Sequence, residues 1–275
     1  MRLTELGKKL VEESRLLLRD IRMLQDRLSD GLRDPEGMVI IGVAQTIGAV
    51  LVLPLLDLAA KQISRVRIQI REVMSSDIPD LLRSESIDFA LSYNIPSGRG
   101  IQSTDFFSED LYLVGTRKAA KTFFNRADLS DLSFVDLDNI PLYLSARSNV
   151  FRDILERIAR NRNIKLNIVA EVDSVAIRKH IALSGLGFTI LSGTTIREEM
   201  RRRTIFAARI THPHIRRKIC FVRQSGNVLS RAAQEVAVLV TQTLALLAAK
   251  DRWPGAVDLS DFAVRINDKG KRLNW

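Results

Sequence analysis

From residue 38 onward, short apolar segments of strand character alternate with segments of helical character. Residues 38–43 form an apolar run typical of a buried strand, 47–61 predict a helix, and 66–73 alternate apolar with polar or charged residues as a strand does. A short helix is predicted at 78–84 and a strand at 88–93. Because consecutive parallel strands need a crossover between them, this order predicts an α/β fold with a parallel sheet and right-handed connections.

The second half of the chain continues the alternation. A tail from residue 251, which is rich in Asp, Gly and Pro, shows no sustained period and is predicted to be poorly ordered. The sequence therefore predicts two α/β units followed by a tail at 250–275. The remaining predicted strands are 111–116, 142–145, 167–172, 188–191 and 218–223, and the remaining predicted helices are 150–161, 174–183, 195–202 and 230–249.

The chain is long enough for one large domain or two modest ones. Its 275 residues, 46% hydrophobic and 27% charged, exclude a largely disordered or collagen-like protein. The formal net charge of +10 favours anionic partners, either polyanions or small acidic ligands, without distinguishing them. The single cysteine, Cys220, cannot form an intrachain disulfide and is predicted to be a buried thiol.

Membrane insertion and export are not predicted. The longest apolar run, 47–56, contains Pro54 and is far shorter than the roughly 20 residues that span a bilayer. Charged residues throughout 1–20 leave no apolar core for a signal peptide. A cytoplasmic protein without membrane contact is therefore expected.

A heptad-like apolar stripe marks the first 30 residues. Thr4 is a plausible N-cap, and Gly31 with Pro35 supplies a stop, so a helix is predicted over 5–29. The stripe could dock on its own domain or pair with a second copy. We favour a dimer coiled coil, because 31–37 has the composition of a linker. The stripe consists of Leu3, Leu10, Leu17, Ile21, Leu24 and Leu28.

Residues suited to catalysis are few. His212 and His214 flank Pro213 without an adjacent Cys, Asp or Glu, which indicates a solvated loop rather than a zinc site, and His180 is predicted to lie on the surface. The pair Gly185 and Gly187 lacks the third glycine of a dinucleotide fingerprint. The sequence therefore predicts no enzyme, no metal and no cofactor.

Polar residues follow several predicted strands, where a parallel sheet presents helix N-termini to ligands. The junctions are 44–46, 75–77, 145–149 and 192–195. Any one of them could be simple N-capping, but four together favour a polar cleft that suits an anion. Arg147 could add a bidentate contact to that anion, although taken alone an arginine is more often a surface residue.

Several segments resemble LysR-type transcriptional regulators in order and spacing. The run 3–7 (LTELG) resembles the segment that follows the winged helix-turn-helix of that family. Further matches are 38–43 (MVIIGV), 52–56 (VLPLL), 87–91 (IDFAL) and 109–114 (EDLYLV), with 173–175 (DSV) leading to 185–191 (GLGFTIL). No single motif is decisive, but together they cover 2–247.

The resemblance implies a fold like that of type 2 periplasmic binding proteins, with two α/β subdomains joined by two crossover strands and preceded by a long linker helix. The implied boundaries are a linker and dimerisation helix at 1–34 and an effector-binding domain at 37–248. Within that domain, subdomain I would comprise 37–110 and 219–248, and subdomain II 111–218. The implied assembly is a homodimer or homotetramer.

The same resemblance implies that a small-molecule effector binds between the subdomains and alters transcription. Its contacts would come from Gln45 and Thr46 at the first strand-helix junction, and from Ser145 and Ser192 across the cleft, with Arg147 nearby. Gln45 stands where the family often has Ser or Thr.

Only Met1 and Arg2 precede the LTELG segment, so the chain as given lacks the family's DNA-reading domain. We expect a truncated product or a start-site error of a regulator, in preference to a sensor that never reads DNA. DNA contact would then require the missing winged helix-turn-helix. Two alternatives stay open: a free solute-binding protein of the same fold, and a prephenate-dehydratase-like enzyme that uses Thr46.

Overall fold

The computed structural model describes residues 34–98, 100–125, 129–147, 150–249 and 252–257, together with six separate residues nearer the N-terminus. Most of the predicted helix at 5–29, including Leu3, Leu17, Leu24 and Leu28, lies outside the described residues. Among those described, Leu10 is 67% and Ile21 51% exposed. The six separate residues are Thr4, Leu6, Gly7, Leu10, Ser14 and Ile21.

Thr4 behaves locally as the predicted N-cap. Its hydroxyl accepts a hydrogen bond from the Gly7 backbone N–H at 3.1 Å, which is the contact that a capping threonine makes three residues ahead.

The described chain contains strands and helices in α/β order. In sequence they are β1 (Gly37–Val43), α1 (Gln45–Gln62), β2 (Val66–Glu72), α2 (Ile78–Arg83), β3 (Phe89–Tyr93), β4 (Ile101–Gly115), α3 (Arg117–Phe124), β5 (Asp131–Ser133), a short 3-10 helix (Phe134–Leu137), β6 (Pro141–Leu144), α4 (Val150–Asn161), β7 (Asn167–Glu171), α5 (Val175–Ser184), β8 (Thr189–Ser192), α6 (Arg197–Arg202), β9 (Phe206–Thr211), β10 (Arg216–Gln224), α7 (Arg231–Ala249) and β11 (Ala256–Val257).

The chain divides into two compact units. Unit 1 contains the residues up to Thr104 together with Cys220–Leu246, and unit 2 contains Asp105–Ile219 and the segment that begins at Leu247. Strands β4 and β10 each run from one unit into the other, so the chain crosses twice through strands. The first crossing lies at 104/105, six residues before the predicted boundary.

Unit 1 is built on the predicted parallel sheet. Strand β1 pairs in parallel with β2, with Gly37 opposite Val66, and with β3, with Ile41 opposite Phe89. Val39 and Ile41 of β1 have no exposed surface. Because β1 lies between two strands and is covered on both faces, it requires the continuous apolar run that its sequence shows.

Unit 2 has a mixed sheet around an aromatic core. Strand β4 pairs antiparallel with β8 and β9, β5 pairs parallel with β9, and β6 pairs parallel with β7. The fully buried ring of Phe188 contacts the rings of Phe124 and Phe206, with centroids 5.6 and 6.2 Å apart.

Some predicted elements were incomplete. Strand β4 begins at Ile101, ten residues before the predicted start, and α3, β5 and β9 were not predicted. In β4 the early residues Ser103, Thr104 and Asp105 are polar, so its first part lacks the apolar signature of a buried strand. Helix α3 was missed because four of its eight residues are Arg, Lys or Thr.

The predicted poorly ordered tail is wrong for 252–257. Trp253 is only 1% exposed, its ring meets Phe107 edge-on with centroids 5.3 Å apart, and β11 pairs antiparallel with β4. A Cβ on Gly193 would lie 2.6 Å from the Pro254 carbonyl oxygen, so only glycine permits this approach. A large buried aromatic surface orders the segment despite its loop-like composition.

Helix α7 is long and apolar enough to cross a membrane on length and composition alone, and 56% of its apolar 18-residue stretch is buried within the protein. Val236, Val240 and Leu244 on this helix have no exposed surface. Core helices of this kind meet the same criterion, so the feature is weak support for a membrane span.

Candidate functional site

In unit 1, the carboxyl end of β1 leads directly into α1. Ala44 occupies the N-cap position and, as an alanine, offers no side-chain cap to the start of this 18-residue helix. The Ala44 N–H itself donates to Leu91 O at 2.9 Å, which anchors the junction to β3. An uncapped helix start carries a partial positive charge that suits an anionic or polar ligand.

The polar side chains at this end of the unit 1 sheet form two hydroxyl pairs. Thr46, buried to 9% exposure, places Oγ1 2.8 Å from the Tyr93 hydroxyl, and Ser75 Oγ lies 2.8 Å from Ser92 Oγ. Gln45 beside them is exposed. Sequence reasoning found Gln45, Thr46 and the 75–77 junction but missed Ser92 and Tyr93, whose only signal was their place at the end of a predicted strand.

In unit 2, Ser145 and Arg147 follow β6 in different surroundings. Ser145 is buried at 3% exposure, whereas the Arg147 side chain is 76% exposed and its Nε lies 3.4 Å from Glu156 Oε1. The backbone N–H of Ala146 donates to Asp173 Oδ1 at 3.0 Å, which ties the ends of β6 and β7 together. The structure thus buries Ser145 at the carboxyl end of β6 and leaves the Arg147 side chain on the surface.

Arg152 supports the Ser145 position and was not predicted. Its side chain is 2% exposed and its Nη1 donates to the Ser145 carbonyl at 2.8 Å. Glu156 and Glu171 balance its charge, with their Oε1 atoms 2.9 and 3.3 Å from Nη2. A buried arginine with this full set of partners fixes the local backbone.

Ser192 ends the neighbouring strand. It is 2% exposed, and its Oγ lies 2.8 Å from Thr194 Oγ1 and 3.0 Å from Thr195 Oγ1. The Tyr143 N–H donates to Phe188 O at 2.8 Å, so β6 runs beside the start of β8 in the parallel sense. Ser145 and Ser192 therefore lie at the carboxyl ends of adjacent strands, which together form the polar edge of unit 2.

A second buried arginine lies close to this edge. Arg178, in α5, is 7% exposed, and its buried Nε has no hydrogen-bond partner among the residues that the structure describes. Burial, together with the nearby charge of Arg217 and opposed by Asp173, lowers the pKa of Arg178 to about 10. Arg178 was not predicted as a site residue, because no periodic signal separates it from its charged neighbours in sequence.

Groups suited to metal binding or nucleophilic chemistry are scarce in the part of the chain that the structure describes. No group of three or more His, Cys, Asp or Glu residues there could hold a metal ion. His180, His212 and His214 are exposed. Cys220 is fully buried and its Sγ donates to Ser92 O at 3.4 Å.

Comparisons with known proteins agree with this architecture. Residues 32–245 match the family model described as the LysR substrate binding domain. The nitrogen assimilation regulatory protein nac of Klebsiella aerogenes is 25% identical over 234 residues, which cover 85% of this chain and 74% of that protein.

Solved structures share the fold. An OxyR mutant of Corynebacterium glutamicum superposes with a TM-score of 0.69 at 19% identity and covers 90% of this chain and 78% of its own. The CcmR regulatory domain of Synechocystis in complex with 2-PG has a TM-score of 0.66 at 16% identity over 76% of this chain and 98% of its own. These structures and the family match give the chain the type 2 periplasmic-binding-protein-like fold.

Three findings agree. The chain has two α/β units joined through two strands, each unit has polar residues at the carboxyl ends of strands, and the family model matches most of its length. The chain belongs to the LysR substrate-binding domain family of transcriptional regulators.

Proposed function

We propose that this chain is the effector-sensing and oligomerisation part of a DNA-binding transcriptional regulator. One small metabolite contacts the polar edge of each unit, through Gln45 and Thr46 in unit 1 and through Ser145, Arg147 and Ser192 in unit 2. Binding favours one arrangement of the units over another, and that preference alters transcription. In such a regulator a winged helix-turn-helix contacts the DNA. The leucine-striped segment at 5–29 pairs one chain with another.

The observation that carries this proposal is the repetition of one chemical arrangement. In each unit a buried strand ends in hydroxyl side chains beside a helix start: Thr46 with Tyr93 in unit 1, and Ser192 with Thr194 and Thr195 in unit 2. Hydroxyl groups both donate and accept hydrogen bonds, so they suit a polar metabolite. The related regulators, and the CcmR domain bound to 2-PG, support a binding role rather than an enzymatic one. We place this regulator in the cytoplasm.

The first test is a thermal-shift screen with small metabolites, anions included, followed by calorimetry on any compound that raises Tm. Thr46→Val and Ser145→Ala should each weaken binding of the identified ligand by roughly 0.5–1.5 kcal/mol, which raises Kd about two- to tenfold, because each removes one neutral hydrogen bond.

Matched controls separate a lost contact from a disturbed fold. Thr122→Val and Ser184→Ala make the same chemical changes at exposed hydroxyls that bond only to their own helices, and they should leave Kd unchanged. Tyr93→Phe tests whether Thr46 acts through its hydroxyl pair. If a confirmed ligand binds equally well to Thr46→Val and Ser145→Ala, these residues do not form the site.

A further inference from the structure

Arg178 and Arg152 are both buried arginines of unit 2, but they differ in how their charge is met. Arg152 donates to a backbone carbonyl and pairs with Glu156 and Glu171. The guanidinium of Arg178 makes no hydrogen bond or ion pair with any described residue, although the residue is 93% buried, its exposure being 7%. Buried arginines are normally paired, so this one lacks an expected counter-ion.

A buried carboxylate of unit 2, Glu109, is already occupied by other donors. Glu109 has no exposed surface; its Oε1 accepts from Arg217 Nε at 2.5 Å and its Oε2 from Trp253 Nε1 at 2.6 Å. Arg217 also lies close enough to Arg178 to repel its charge. Arg217 is thus paired with Glu109, whereas no carboxylate among the described residues forms an ion pair with Arg178.

Asp173 does not supply the missing partner. It attracts Arg178 over a distance, but it is exposed and its Oδ1 accepts the Ala146 N–H at 3.0 Å. Arginine stays protonated at neutral pH even with this degree of burial, so the charge cannot be removed by proton loss. An anion from solution would balance it.

The residues around Arg178 connect it to the polar edge of unit 2. On one side Asp173 holds the Ala146 N–H next to Ser145. On the other side Lys179, the next residue of α5, donates from Nζ to Thr195 O at 2.9 Å and pairs with Glu199 at 2.6 Å. Arg178 therefore lies in the stretch of chain that bridges the ends of β6 and β8.

We propose that Arg178 binds an oxyanion group, a carboxylate, sulfate or phosphoryl group, beside the Ser145 and Ser192 ends of the unit 2 sheet. The inference rests on the proposed function, since that oxyanion is taken to belong to the effector. Arginine presents a planar fork of donors that matches the two oxygens of such a group. Arg178 thus adds a buried charged contact to a site whose other buried groups are the hydroxyls of Thr46, Ser145 and Ser192.

The experiment measures the Tm of the whole chain during titration with sodium sulfate, sodium phosphate or sodium acetate at constant ionic strength set with chloride. Wild type should show a saturable rise in Tm with at least one of the three. Arg178→Met should raise the half-saturating concentration roughly tenfold or more, and Arg178→Lys by less, because lysine keeps the charge without the fork. Sulfate also stabilises proteins by exclusion, but that effect is common to all variants.

A second readout separates binding from a structural role. In chloride alone Arg178→Met should melt at or above wild type, because it removes an unpaired buried charge, whereas Arg152→Met should melt lower, because it breaks a paired one. In wild type the NMR signal of the Arg178 Nε–Hε group should change its chemical shift during the same titration. Arg201→Met, which removes an exposed arginine paired with Glu198, is the control for a general loss of positive charge.

Three results would overturn the inference: no saturable rise in wild type with any of the anions, an unchanged rise in Arg178→Met, or an Arg178→Met protein that is unfolded or melts lower than wild type in chloride. If Thr46→Val and Ser145→Ala weaken effector binding while the rise in Tm with anion is the same in Arg178→Met as in wild type, the proposed function stands and this inference fails. If Arg178 governs the response but those two variants change nothing, the hydroxyl site fails instead.

Discussion

Glu109 is the residue at which the segment beyond the family match joins unit 2. The match ends at residue 245, and Trp253 lies eight residues later with its indole N–H on the Glu109 carboxylate at 2.6 Å. A fully buried carboxylate is tolerated only when donors surround it, and Arg217 and Trp253 provide them. Trp253 is therefore expected to contribute polar stabilisation as well as apolar burial.

Trp253→Phe should lower the free energy of unfolding by about 1.5–3 kcal/mol, because it keeps a ring against Phe107 but removes a hydrogen bond to a charged group. Urea denaturation at neutral pH measures the loss. In a Glu109→Gln background the same substitution should cost clearly less, since the charge is gone. Equal costs in both backgrounds would show that only the ring size matters.

At the scale of elements, β5 and β9 show how a short strand is held in place. Strand β5 has three residues, and its Asp131 lies opposite Arg209 of β9 in the parallel register. Arg209 Nε donates to Asp131 Oδ1 at 2.7 Å across this pair. That hydrogen bond is the main reason why the pKa of Asp131 lies below its ordinary value of 3.8.

Acid should therefore weaken the β5–β9 pairing. Because the pKa of Asp131 is lower in the folded state, its stabilisation is complete above the ordinary pKa of 3.8 and is lost as the pH falls through the folded value. Asp131→Asn should lower Tm at neutral pH by a small amount, since the pair is half-exposed, and the difference from wild type should shrink below pH 3.8.

Circular dichroism melts across this pH range measure the effect, and Arg209→Met should reproduce it by removing the donor. A Tm difference that stays constant at every pH would contradict the assignment.

At the scale of the whole molecule, each unit has its own core and its own polar edge. In unit 1 that edge follows β1 and β3, and in unit 2 it follows β6 and β8. Under the proposed function one effector touches both edges, so its binding energy stabilises both units at once.

A saturating effector should slow amide hydrogen exchange in β1 and in β6 alike. At about 100 times Kd, linkage predicts about 2.7 kcal/mol of added stability against global opening. Hydrogen exchange followed by mass spectrometry, with peptides from each unit, tests this expectation. Protection confined to one unit would show that the effector binds there alone.

The sequence predicted the elements whose apolar pattern is strong. Helix α4 agrees with its predicted bounds at both ends, and β1, β2 and β7 differ by one residue. Buried parallel strands and amphipathic helices each carry a period of their own, so local pattern was sufficient. In contrast, the polar first part of β4 and the six-residue β9 acquire strand structure by pairing with neighbouring strands.

The site shows the same division. Thr46, Ser145 and Ser192 could be found because ligand-facing residues of a parallel sheet follow its strands in sequence. Tyr93, Arg152 and Arg178 could not, because they acquire their roles from burial and from contacts that no periodic pattern marks.

By itself the sequence determined the α/β class, the parallel order of the first strands and the family, since these depend on periodicity and on short motifs in a fixed order. Only the tertiary structure decided that Trp253 is a core residue and that Glu109 is shared by two donors. It also decided that the buried Arg178 Nε has no acceptor among the described residues. The physical reason is that desolvation and pairing are properties of three-dimensional neighbourhoods, and no local spacing encodes them.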